Sequence, residues 1–90
     1  MIKTLYVGYY QPIPDEYIVV VTFDREEALA KTEDSRLDLS PRARQHSRHF
    51  VVGYTFDVNF DDTPQQAFEK LQQIPPEDLD EDDFFCEITI

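Results

Sequence analysis

The stretch that decides the fold is His49-Phe50-Val51-Val52-Gly53-Tyr54-Thr55-Phe56-Asp57-Val58-Asn59-Phe60. Phe50, Val52, Tyr54, Phe56, Val58 and Phe60 occupy every second position, with Val51, Gly53, Thr55, Asp57 and Asn59 between them. Successive side chains of an extended chain point to opposite sides, so alternation sustained this long predicts a long strand with one buried face. Gly53 inside it marks a bulge or a close packing spot.

The chain on the C-terminal side of this strand has a sharp start signal. Thr63-Pro64-Gln65-Gln66 places a Thr cap, a proline at the first helical position and a Gln three residues after the cap. The helix it opens is expected to run to about Gln73 and to bury Ala67, Phe68 and Leu71. Pro75-Pro76 stops it. An acidic stretch follows, and residues 84–90 read as a last strand.

On the N-terminal side, residues 33–48 carry no clear period, although Ser40-Pro41 fits the cap of a single turn reaching Ser47. Asp24 with Glu27 is a capping-box variant, and Ala28, Leu29 and Ala30 follow it, so a short helix is expected over 25–32. Residues 17–23 are β-branched nearly throughout and apolar on both faces, which predicts a central strand. Residues 2–10 form another strand, joined to it as a hairpin through a loop over 11–16 that contains two prolines.

The order is β-β-α-loop-β-α-β in a single domain, residues 1–90. The expected fold class is α+β: a mostly antiparallel four-stranded sheet with two helices on one face. If the last two strands were parallel, their connection would be a right-handed crossover.

Composition bounds the function. Ninety residues with 41% hydrophobic content, seven Phe and five Tyr suffice for one core. One cysteine, Cys86, excludes an intrachain disulfide and reads as a small buried hydrophobe. No apolar run approaches a membrane span and residues 1–10 do not read as a signal peptide, so the cytoplasm is the expected compartment. The net charge is −11, from nineteen acids and eight bases. Such a field repels phosphate backbones and anionic membranes and attracts basic partners. A basic, nucleic-acid-handling protein is therefore the expected partner, with a homodimer as the alternative and no direct contact with nucleic acid or membrane.

The acidic run is the most specific feature. Glu77, Asp78, Asp80, Glu81, Asp82 and Asp83 place six carboxylates in seven residues, and Asp57, Asp61, Asp62 and Glu87 add to them. Three readings are open: a solvated loop, a row of carboxylates that meets the Lys and Arg side chains of a basic partner, or weak, nonspecific binding of divalent ions over residues 77–83. Asp57, Asn59 and Asp61 match the opening of a calcium loop, but Asp62 stands where its turn glycine belongs and Phe68 where its bidentate Glu belongs. Neither a metal nor a cofactor is expected.

Against this acidity stands a basic island, Arg36, Arg42, Arg44 and Arg48, which serves either internal neutralisation or a second contact surface. His46 and His49 lie in or beside it and read as ordinary exposed polar residues. Two glycines are too few for a phosphate-cradling loop, and no serine has a nucleophile-elbow context. No set of residues predicts an enzyme. By analogy of size and charge alone, the chain is expected to act as a stoichiometric inhibitor, of the kind found among phage anti-defence proteins (anti-CRISPR and DNA-mimic proteins) and immunity proteins against nuclease toxins. The alternative is a structural or adaptor domain whose acidity serves only solubility.

Overall fold

The computed structural model describes residues 1–75 and 84–90. Its elements are β1 (Ile2–Pro12), β2 (Tyr17–Thr22), α1 (Arg25–Leu37), α2 (Pro41–Gln45), β3 (Ser47–Asp57), α3 (Pro64–Gln73) and β4 (Phe84–Thr89). The four strands form one antiparallel sheet in the order β2-β1-β3-β4, so the class is α+β as the element order predicts. Since β4 runs antiparallel to its neighbour β3, no crossover is needed. β2 lies at an edge, not at the centre; the central strands are β1 and β3, paired from Ile2↔Asp57 to Pro12↔Ser47. Among the described residues no helix is long and apolar enough to cross a membrane.

The two longer helices pack on opposite faces of the sheet, not together on one face. Leu5, Val7 and Tyr9 of β1 and Phe50 and Val52 of β3 form one core with Ala67, Phe68 and Leu71 of α3. On the other side Val20 and Val51 pack with Ala28 of α1. The alternation in β3 marks only the first of these faces. The second is buried because α1 approaches the sheet very closely: a Cβ on Gly8 would lie 2.1 Å from Thr32 Oγ1 and 2.8 Å from Val20 Cγ1. Thr32 is fully buried there, with no hydrogen-bond partner for its hydroxyl among the described residues.

Local signals account for most boundaries. Asp24 caps α1 by accepting from the Glu26 and Glu27 amides, while Glu27 itself accepts from Thr22 Oγ1 and pairs with Lys31. α1 extends past residue 32 because Arg36 reaches back one turn to Glu33 and because the helix needs few apolar residues to seat on Gly8. Thr63 and Gln66 form both bonds of the capping box that opens α3. Thr63→Ala is therefore expected to cost about 1 kcal/mol, read as a lower urea midpoint.

β3 stops at Asp57, three residues earlier than the alternation implies. Asn59 and Asp62 close a turn, with the Asn59 N–H donating to Asp62 Oδ2 and the Asp62 N–H to the Asn59 carbonyl. Val58 stays buried, but Phe60 is thrown out to 82% exposure. Gly53 is a close packing spot that lies beside a bulge of the neighbouring strand: the Tyr6 ring lies 3.2 Å from where its Cβ would be, and Gly53 and Tyr54 face residues 86 and 84 of β4, which leaves the extra residue on β4.

Candidate functional site

A groove opens between β2 and α3, on the α3 side of the sheet. It is lined by Tyr9, Glu16, Ile18, Tyr54, Phe68, Leu71 and Gln72 and has a volume of about 360 Å³. A bulge brings these residues together. The β1–β2 register slips between Gly8 and Tyr9, so that Val20 faces Gly8 while Ile18, only two residues earlier, faces Tyr9. In a regular ladder those two side chains would share a face. The bulge thus gives Val20 to the α1 core and Ile18 to the groove.

The floor of the groove is a phenol pair. The Tyr9 ring stacks on Phe50 with centroids 5.0 Å apart, and its hydroxyl lies 3.0 Å from that of Tyr54. Burial, the bond to Tyr54 and the nearby Glu16 carboxylate together hold the Tyr9 phenol far above its ordinary pKa, so it stays neutral. Glu16 has no ion-pair or hydrogen-bond partner among the described residues. Ile18 lines the groove from the open edge strand and is exposed, and so are Tyr17 on the same strand and Ile13 in the preceding turn, which lie outside the groove. Tyr10 stacks on Tyr17 on the opposite face.

The acids singled out by sequence divide into three groups. Asp57 accepts from the Met1 amino group at 2.6 Å, which holds its carboxyl below the usual range. Asp62 accepts from Lys70 at 2.6 Å and from the Asn59 amide, with the same effect, and its side chain is only 8% exposed. Both therefore have internal partners, whereas Asp61 is exposed. Glu77, Asp78, Asp80, Glu81, Asp82 and Asp83 lie outside the described residues, as do the side chains of Cys86 and Glu87.

The arginines divide as well. Arg36 pairs with Glu33 through two nitrogens, and the Glu33 carboxyl is held low first by that bond, with a smaller contribution from Arg44. Arg44 is half-buried, and its Nε has no hydrogen-bond partner among the described residues. Of the two, Arg36 is the one paired with a carboxylate among the described residues. Arg42 and Arg48 are exposed, and the Arg48 guanidinium lies 4.7 Å from the centroid of the Phe50 ring. A second cleft, between the β1–β2 turn and α2, is lined by Gln11, Ile13, Gln45, His46, Ser47 and Arg48.

His49 departs most from the sequence reading, for it is 2% exposed. It stacks on Tyr10 at 4.8 Å, and its Nε2 lies 3.3 Å from Ser35 Oγ. Ser35 belongs to α1, so this contact ties the helix to the buried histidine, which is closed to solvent. A histidine in the middle of a basic island looks solvated; its burial becomes visible only when α1 is extended to residue 37. Among the described residues no three His, Cys, Asp or Glu side chains converge as a metal site would require.

No protein-family model, curated protein or solved structure matches the chain. The functional argument therefore rests on the chain's own chemistry.

The His49 environment makes a pH prediction. Burial, and secondarily Arg36, depresses its pKa against a weaker opposing effect of Glu33. The unfolded chain takes up the proton near pH 6.5 while the folded chain resists it. Stability is then fully present above that pH and falls as pH drops through it, ahead of the carboxylate losses expected near pH 4 and below. The urea midpoint should fall between pH 7.5 and 5.5 in the wild type and stay level in His49→Gln. An equal fall in both proteins would rule out His49 as the cause.

Proposed function

We propose that this chain is a small acidic binding protein that docks on a basic, nucleic-acid-handling protein and occludes its nucleic-acid site, acting by binding and not by turnover. The net charge of −11 carries this reading, since residues 51–90 contain eleven of the nineteen acids and a single base. A field of this sign concentrates basic partners and speeds their encounter. Charge alone gives little residence time. The groove and the exposed Ile13, Tyr17 and Ile18 supply an apolar anchor beside it.

The test is capture from a lysate of the source cell at low salt, followed by a salt gradient. The baits are the wild type and a variant with Asp80, Glu81, Asp82 and Asp83 changed to Asn or Gln. The expected result is a basic protein held by the wild type and lost from the variant, whose nucleic-acid binding falls as the chain is added. If nucleic-acid binding by the captured protein is unaffected at saturating chain, the reading fails.

A second reading, a homodimer joined through β2, is favoured by one observation: β2 is an open edge with apolar residues exposed along it. Salt separates the two. Two copies each carrying −11 repel, so added salt strengthens a dimer, whereas it weakens the attraction to a basic partner.

A further inference from the structure

We propose that the groove between β2 and α3 receives one Lys or Arg side chain of the basic partner, its stem on Ile18, Phe68 and Leu71 and its charged head between Glu16 and the Tyr9–Tyr54 hydroxyls. This rests on the reading that the partner is basic, and it assigns the contact that sets residence.

The lining matches the two parts of such a side chain. A long cationic side chain buries its methylenes and keeps its head among polar groups. The groove has an apolar wall from β2 and α3, and two phenol oxygens 3.0 Å apart on its floor. The Tyr9 oxygen carries two lone pairs, so beyond its contact with Tyr54 it can accept from an ammonium or guanidinium. Tyr9 remains a neutral acceptor, since its phenol is held far above its ordinary pKa.

Glu16 sets the sign of the ligand. Glu27, Glu33, Asp57 and Asp62 each have a cation beside them. Glu16, on the same groove as the phenols, has none among the described residues. A cation placed there gains a charge-assisted hydrogen bond at a site walled by apolar surface, while an anion meets both Glu16 and the net charge of the chain. The volume of about 360 Å³ accepts a single long side chain. The groove also opens beside the exposed edge of β2, where a partner's backbone can approach.

The test needs no partner. The chain labelled with nitrogen-15 is titrated with n-butylguanidinium, and in parallel with n-butylurea, a neutral probe of similar shape. The guanidinium should shift the backbone amides at residues 16–18, 54 and 68–72 and saturate, and the urea should bind more weakly. Glu16→Gln should weaken guanidinium binding about fivefold, in line with the loss of one partly exposed charge pair, without lowering the urea midpoint, because Glu16 is exposed and makes no contact that holds the fold. Equal binding of the two probes, equal affinity in Glu16→Gln, or shifts spread over the whole acidic surface would each overturn the assignment. If the guanidinium binds as expected but no basic partner is ever captured, the groove stands as a cation site and the inhibitor reading alone fails. If a partner is captured and binds Glu16→Gln as tightly as wild type, the reading stands and the groove assignment falls.

Discussion

Gly8→Ala unfolds at a markedly lower urea concentration than the wild type, with a loss of about 2–3 kcal/mol. The added methyl has nowhere to go. Thr32 Oγ1 would lie 2.1 Å from it and Val20 Cγ1 2.8 Å, both inside van der Waals contact. Gly8 is in the central strand β1 and Thr32 in the middle of α1, so relief requires the helix to rise from the sheet or Val20 to leave its rotamer. Replacing glycine in a strand ordinarily stabilises by about 0.5–1 kcal/mol through the unfolded chain, so a measured loss understates the clash. The second variant that isolates the cause is Thr32→Ala, which removes the nearest atom. In Gly8→Ala/Thr32→Ala the methyl still meets Val20, so recovery should be partial, with a coupling of about 1 kcal/mol or more between the two sites. Strict additivity would mean that α1 does not bear on Gly8 as described. A loss of this size is a large share of the stability of a small domain, about 5–15 kcal/mol in total, so the close contact decides whether α1 docks at all.

That contact also explains what the sequence did and did not make legible. Elements governed by local rules were readable: the alternation of β3, the Thr63–Gln66 capping box, the Asp24 cap and the proline stop after α3 all reflect interactions within a few residues. Placement of α1 was not, because it depends on Gly8 and Thr32, which are far apart in the chain and neither of which belongs to an apolar pattern. The edge position of β2 escaped for a related reason. Residues apolar on both faces predict a central strand, but in β2 the bulge at Gly8/Tyr9 sends Val20 to one core and Ile18 to the groove, so both faces are used on an edge. The groove itself draws Tyr9, Ile18, Tyr54, Phe68 and Leu71 from four different elements, and nothing local links them. Charge was legible only as composition: Asp57 and Asp62 looked like members of one acidic surface, yet each has a cation beside it in the fold.

Changing Asp80, Glu81, Asp82 and Asp83 to Asn or Gln should slow association with the captured partner by about 10–100-fold at low ionic strength. The variant removes four of the nineteen acids, all from the half of the chain that carries most of the charge. Steering acts before contact, over distances of about a Debye length, so its signature lies in the association rate and in the dependence of that rate on salt. Stopped-flow rates for the two proteins should converge as salt rises toward 1 M, where the Debye length is about 3 Å. Dissociation should change little, because residence is assigned to the groove and to Ile13, Tyr17 and Ile18. Ile18→Ala should do the reverse, leaving association near wild type and speeding dissociation. The fold offers an internal control: neutralising like charges relieves self-repulsion, so the thermal midpoint of the four-residue variant should not fall. Equal association rates at low salt would remove steering from the mechanism. An unchanged association rate with faster dissociation would instead place these carboxylates in short, desolvated contacts with the partner, and the anchor would then be acidic and not apolar.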